Sequence, residues 1–579
     1  MGAVMAGRET STARGVARTW LADHVLLVVL GAAAALLLLI VGYPLCWLVL
    51  TAVGLPGQLT AQPIVQVFTD PANLRPILNT VVLAVGVGAS SIVLGVPLAW
   101  ATARTDMPAR RAIQALIFMA YISPPYLTAL AYISLLGPRA GYFNRLLHLV
   151  HLGPLNVFSM GGVIGVIALH GFAYTYFLTY DALRSVDAPF GETARILGAR
   201  PWAVLRRITL PLVVPGITAG ALLAGIQAMA DFGPQSFLGL PAGIVFLPTE
   251  IYGAFNTYPP RWAQTASVSL VLIVLTVIGL ALQRAYLGRR SFVTVSGRGV
   301  RVERSPLGSW RVPAFVGCLV IVFFTTIAPF AVLVAAALSK DWTKAPLAQN
   351  LTLGNFATAL FGNQVSSRGI VNSLKLAAGA ATVGTALGLL IAYLDQRTLI
   401  RLRRIPDYLA ALPLGLPGTV IAFGFILAAV HPPFQFLYAT LWILLCVYVA
   451  RFVPLAARTA GAALRQVDPV LEEAGRITGA SWGRCLLRIL VPILRGGLAT
   501  AWLLIFIPAL GELSATILLY SSGGETISVA IFTLNDLGQF EPVAALAVFT
   551  IALTLAAAGL LQWLSSRGPG VSAEQVQLR

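Results

Sequence analysis

Apolar stretches of roughly 20 residues recur along this chain between short polar segments, and that is the length an α-helix needs to cross about 30 Å of hydrocarbon. Twelve such runs fall at about 25–53, 77–103, 112–136, 160–180, 211–230, 262–286, 314–338, 370–395, 406–430, 436–457, 494–519 and 542–563. Runs of this length predict membrane-spanning helices rather than a barrel. The segments between crossings on the outer side reach only about 30 residues, too few for a folded domain of their own.

The pattern occurs twice. Leu183 to Pro211, LRSVDAPFGETARILGARPWAVLRRITLP, returns 281 positions later as Leu464 to Pro492, LRQVDPVLEEAGRITGASWGRCLLRILVP. Asn79-Thr80 matches Asn372-Ser373, and Pro124 matches Pro417, at an offset of 293. The fall from 293 to 281 places about twelve extra residues in the first half, assigned to the outer loop Leu136 to Met160. The expected fold is therefore all-α and integral to the membrane, with about 12 helices in two parallel six-helix repeats. The expected domains are a cytoplasmic tail at 1–24, a first repeat at 25–287, a linker at 288–311, a second repeat at 312–565 and a tail at 566–579.

Composition agrees. The chain is 58% hydrophobic and only 10% charged, with a mean hydropathy of +0.84, against about 25% charged residues in soluble domains. The formal charge of +18 raises the question of nucleic acid, which placement answers. Most of the 39 Lys and Arg fall in alternate inter-helix segments, including seven arginines between Arg284 and Arg311. This is the positive-inside pattern, with both termini cytoplasmic, and it excludes a nucleic-acid partner. Arg8, Arg14 and Arg18 precede a run too long for a signal-peptide core, so a first crossing is expected there and not a cleaved signal. The four cysteines are scattered without a CxxC pair and read as packing residues.

The duplicated polar segment carries helix signals. Asp187 and Asp468 are N-cap residues, with Pro189 and Pro469 in the first turn, and Gly198 and Gly479 suit left-handed helix ends. Each copy predicts a helix of about ten residues, Ala188 to Leu197 and Pro469 to Thr478, too short to be stable without a partner surface. Glu192 with Arg195 and Glu473 with Arg476 stand at i, i+3 and suit exposed intrahelical pairs.

These residues resemble the EAA motif, E-A-A-x3-G-x9-I-x-L-P, of the permease subunits of binding-protein-dependent ABC importers. The first copy matches as Glu192, Thr193, Ala194, Gly198, Ile208, Leu210 and Pro211. The second matches as Glu473, Ala474, Gly475, Gly479, Ile489, Val491 and Pro492, the departures being small or apolar. The resemblance implies a type I importer permease fold in a bacterial inner membrane. It also implies that each segment is a coupling helix docking on an ATPase subunit. Two copies imply two ATPase subunits per chain, plus a periplasmic binding protein. The three lysines, Lys340, Lys344 and Lys375, are not in a Walker A context, so no cofactor is expected on this chain, ATP belongs to the partner, and the chain is not an enzyme. The fused layout, with ADFG and GEL after the motifs and PAGIVFLPTEIYGAFNTY beyond, looks like the ferric iron permeases. Thiamine, polyamine, phosphonate and sulfate-type permeases are the alternative, and an ATPase-independent secondary transporter the reading from another class.

Asp231 and Glu512 are 281 apart and each lies 20 residues after a motif proline. In a continuous helix that is about 30 Å on, at the outer ends of the fifth and eleventh crossings. Two roles fit: acidic residues lining the mouth of the pathway, where hard oxygens attract a cation such as ferric iron, or helix-end caps. Asp395 with Arg397, and Arg104 with Asp106, read as inner-face anchors and ion pairs; the five histidines, including His148, His151 and His170, show no metal-ligand spacing.

Overall fold

The computed structural model describes residues 24–55, 57, 59–138, 141–151, 153–185, 196–198, 201–288, 305–344, 348–398 and 402–567. Both tails, most of the linker and most of the first motif segment, including Glu192, Thr193, Ala194 and the predicted Asp187 cap, lie outside them.

Among the described residues, ten helices are long and apolar enough to span: α1 Leu27–Ala52, α2 Pro71–Arg104, α6 Met160–Ser185, α7 Arg206–Ala230, α10 Trp262–Tyr286, α11 Gly308–Ala337, α12 Gln364–Arg397, α15 Leu441–Leu464, α17 Trp482–Leu510 and α20 Phe540–Leu564. The third and ninth crossings are not single helices. They are bent pairs, α3 Arg110–Ile122 with α4 Pro125–Leu136 and α13 Ile405–Gly415 with α14 Gly418–Ala429, turned by 103° and 117°. The breaks fall at Pro124-Pro125 and Pro417-Gly418, because proline pushes the residue before it into extended backbone; Ser123 and Leu416 have ψ of 142° and 133°. The matched Pro124 and Pro417 are thus mid-span breaks.

The first pair still runs along α11, with α3 packed on its residues 311–327 and α4 on its residues 328–337. Asp106 meets Arg311 at 3.9 Å, the Leu116 carbonyl accepts from Thr326, Tyr132 donates to the Phe324 carbonyl, and Tyr142 donates to the Trp342 carbonyl. The second pair lies along α1 in the same way, ending where Trp47 stacks on His431 at 3.5 Å. The leading helix of each repeat therefore packs on the bent span of the other repeat.

Proline also shapes the entry into several helices. Five-residue π-turns at Leu205–Thr209 and Leu486–Leu490 run into Pro211 and Pro492, and Leu38–Gly42 and Phe323–Ile327 run into Pro44 and Pro329. A proline has no N–H for the i−4 carbonyl, so the ladder slips by one residue ahead of it. The motif's terminal proline therefore sits at the start of the straight part of α7 and α17.

Three other expectations change. The eleventh crossing starts earlier than expected and stops at Leu510, before Gly511, instead of running on to 519. Asp395 meets Arg404 at 3.8 Å, and Arg397 pairs with Glu472; Asp106 pairs with Arg311 rather than Arg104. The extra residues of the first half form a short outer helix, α5 Tyr142–Leu149.

Candidate functional sites: the motif helix and the repeat interface

The second motif segment folds into α16, Val470–Ile477, eight residues rather than ten. Asp468 Oδ1 accepts the Val470 N–H at 3.0 Å, the cap expected from sequence. At the other end Gly479 has φ of +86°, and the Ala480 N–H reaches back to the Gly475 carbonyl at 3.0 Å. Gly198 has φ of +82°, the same left-handed turn. The motif's spacing has a packing cause: a Cβ on Gly475 would stand 2.6 Å from Ile489 Cδ1, so the helix folds back onto the motif's isoleucine.

The carboxyl group that holds this helix belongs to Glu472, not Glu473. Glu472 is 4% exposed; it accepts from Tyr393 Oη at 3.1 Å and lies 3.3 Å from Arg397 Nε. Arg397 also donates to the Leu464 and Val467 carbonyls, tying the end of α12 to the motif's first residues. Burial pushes the Glu472 carboxyl above its ordinary range against the pull of Arg397. The counterpart of Glu472 in the first copy is Gly191, so this anchor is specific to the second repeat. Outward, Leu471, Ala474, Ile477 and Thr478 are exposed, and so are Ile196 and Leu197 of the first copy.

Asp231 and Glu512 come together where the two repeats meet. Asp231 ends α7 and caps the following helix, α8 Phe232–Gly239, by accepting the Gly233 N–H at 3.1 Å. It also accepts from Ser514 Oγ, and Ser514 in turn accepts the Phe232 N–H. Glu512 Oε1 accepts from Arg451 Nη1 at 2.8 Å and from the Ala515 N–H at 2.7 Å. Both proline breaks reach this point: a Cβ on Gly511 would stand 2.5 Å from Pro124 Cγ, and one on Gly418 would overlap Arg451. Glu512 is buried and Asp231 partly so. Every residue of α8 is buried, and an aromatic layer of Phe232, Tyr252, Phe237 and Phe532, with ring centroids 5.1 to 6.3 Å apart, lies beside Asp231.

The outer loops after these acids are held by the matched pairs noted in the sequence. Asn79 donates to the Val245 carbonyl at 2.9 Å and Thr80 Oγ1 accepts the Leu247 N–H. Asn372 donates to the Gly523 and Glu525 carbonyls, and Ser373 Oγ accepts the Ile527 N–H. Sequence reasoning missed Arg451, whose signal was an arginine inside an apolar run, 281 positions after His170. His170 is buried and faces Thr128 Oγ1 at 3.5 Å.

The model of the family described as binding-protein-dependent transport system inner membrane component matches residues 91–291 and again 384–567, one match in each repeat. The chain belongs to this family. As a permease of this kind it is a multi-pass inner-membrane subunit of a transport system that works with a binding protein. It is 28% identical over 471 residues to FbpB 1 of Haemophilus influenzae, covering 80% of this chain and 72% of that one; the relative is named for ferric transport. The ferric transport system permease protein FbpB of Actinobacillus pleuropneumoniae is 26% identical over 87% of this chain and 73% of its own length. The molybdenum transport system permease protein ModB of Mycobacterium tuberculosis is 30% identical over 37% of this chain and 80% of its own. Among solved structures, a bacterial ABC transporter involved in the import of the acidic polysaccharide alginate aligns with a TM-score of 0.38 and 19% identity, over 48% of this permease and 99% of that chain.

Proposed function

We propose that this permease forms the translocation pathway of an ATP-driven importer for ferric iron, delivered by a periplasmic binding protein. The observation that carries the substrate is reach: the relatives named for ferric transport align over 80% and 87% of the chain, across both repeats, whereas the molybdenum relative aligns over 37%. The two motif segments, Glu192 to Gly198 and Glu473 to Gly479, dock on two ATPase subunits, and Pro211 and Pro492 carry their motion into α7 and α17. ATP stays on those subunits, and this chain binds no cofactor. With twelve crossings and the arginine-rich segments inside, both termini are cytoplasmic.

Asp231 and Glu512 stand at the repeat interface, where a pathway between two parallel repeats has to run. Arg451 neutralises one of the two carboxylates, which leaves Asp231, with the hydroxyl of Ser514, as a hard-oxygen station suited to a ferric cation. The aromatic layer closes the outer side in this conformation, and ATP-driven rocking of the repeats opens it to the loaded binding protein.

Proteoliposomes containing the permease, its ATPase and the iron-loaded binding protein test the reading. Uptake of ferric iron that requires ATP is expected; uptake driven equally by an ion gradient without ATP overturns it. Variants pairing Glu192 or Gly198 with Glu473 or Gly479 are expected to lose copurification with the ATPase.

A further inference from the structure

A cationic pocket opens at the foot of the second repeat, beside the anchor of the motif helix. One lobe, of about 420 Å³, is lined by Arg397, Arg403, Arg404 and Arg465 with Asp395; a second, of about 270 Å³, shares Asp395 and Arg465 and adds Asp407 and Arg458. Five guanidinium groups thus face two lining carboxylates. Arg404 meets Asp395 at 3.8 Å with both side chains more than a third exposed, a weak contact in a wet site.

The first repeat has the same arginines, Arg104, Arg110, Arg111 and Arg184, at the offsets of 293 and 281, but its corner is covered. The Ser305 N–H bonds the Arg104 carbonyl at 2.8 Å, the Leu307 N–H bonds Asp106 Oδ1 at 3.0 Å, and Leu307 and Phe315 pack on the cluster of Tyr176 and Leu98. Among the described residues nothing covers the second corner in this way. The interior differs too, with Thr102, Ala103 and Phe177 of the first repeat replaced by Asp395, Gln396 and Arg458. Beside the arginines, α13 exposes Ile405, Tyr408 and Leu412 at helical spacing, an apolar track leading away from the charged pocket.

We propose that this pocket binds the phosphate of an anionic phospholipid headgroup, with its acyl chains along Ile405, Tyr408 and Leu412. Guanidinium forks match phosphate oxygens, and basic pockets between helices at the cytoplasmic surface are suited to such headgroups. The apolar track selects a lipid over a free anion. Because Arg397 lines the pocket and also holds Glu472 and the Val467 carbonyl, the bound headgroup braces the motif helix from behind.

The test uses the permease–ATPase complex in nanodiscs of phosphatidylcholine with or without phosphatidylglycerol, with retained lipid read by native mass spectrometry. Wild type is expected to retain phosphatidylglycerol selectively, and Arg403→Gln/Arg404→Gln/Arg465→Gln to retain roughly tenfold less, a factor consistent with losing charge-assisted hydrogen bonds. Arg110→Gln/Arg111→Gln in the covered corner is expected to retain it as wild type does. Equal retention by the triple variant overturns the proposal. A second readout needs no variant: the thermal midpoint of the detergent-solubilised wild-type complex should rise with phosphatidylglycerol and not with inorganic phosphate. An equal rise with inorganic phosphate overturns the lipid assignment.

Discussion

Ser514 of the second repeat donates its hydroxyl to Asp231 of the first at 3.2 Å and accepts the N–H of the next residue, Phe232, so one side chain holds both the carboxylate and the start of the helix it caps. The capping role of Asp231 and its proposed pathway role are therefore physically separable. Asp231→Asn keeps an acceptor for Ser514 and Gly233 and removes only the charge. Ferric uptake is expected to fall by about tenfold or more, the equivalent of about 1.4 kcal/mol in the barrier, with ATPase association unchanged. Normal uptake would leave Asp231 with the cap alone.

Arg451 and Glu512 form a partly buried pair at 2.8 Å. Arg451→Met leaves a buried carboxylate without its counter-charge, and a loss of about 3–5 kcal/mol is expected in unfolding of the purified complex. Arg451→Met/Glu512→Gln removes both charges and should recover most of it. A double variant as unstable as the single one would show that Arg451 matters for packing, not for charge.

The outer loops give an unequal pair. Asn372 serves two carbonyls and Asn79 one, so Asn372→Ala should destabilise its loop more than Asn79→Ala does, at about 1–3 kcal/mol for each carbonyl left buried and unpaired. Hydrogen exchange over residues 239–247 and 520–527 measures both; equal losses would count against the carbonyl bonds as the cause.

Glu472 gives the motif helix a pH dependence. Its folded-state value lies above the ordinary 4.5 because burial outweighs Arg397, so the folded segment takes up the proton more readily than the unfolded chain. Its contribution is complete below the ordinary value and is lost as pH rises through the raised one. Exchange protection over Val470–Ile477, corrected for intrinsic rates, should thus increase as pH falls from about 7 towards 5. Glu472→Gln should flatten that slope, and a slope retained in the variant would assign it to another group.

Much of this was readable in the chain itself. The twelve spans, the duplication, the Asp468 cap and the Gly479 turn follow from periodicity and from residue types whose local geometry is nearly obligatory. The matched Asn79 and Asn372 were visible as a repeat signal, but their task was not, since their partners lie more than 150 residues away. The prolines misled in part: Pro124 and Pro417 sit in runs apolar enough for a straight crossing, and hydropathy is blind to a bend of 103° or 117°.

The sequence by itself determined a duplicated membrane permease and the Asp468 cap and Gly479 turn that bound its second motif helix, because spans, caps and turns are set by neighbours a few residues apart. Only the tertiary structure decided that Asp231 and Glu512 share one junction, that Arg451 neutralises the second, and that Glu472 instead of Glu473 anchors the motif helix. Those pairings join residues of different helices and, at Asp231, of different repeats. Which buried charge is paired depends on desolvation and on distances fixed by packing, and no local pattern encodes either.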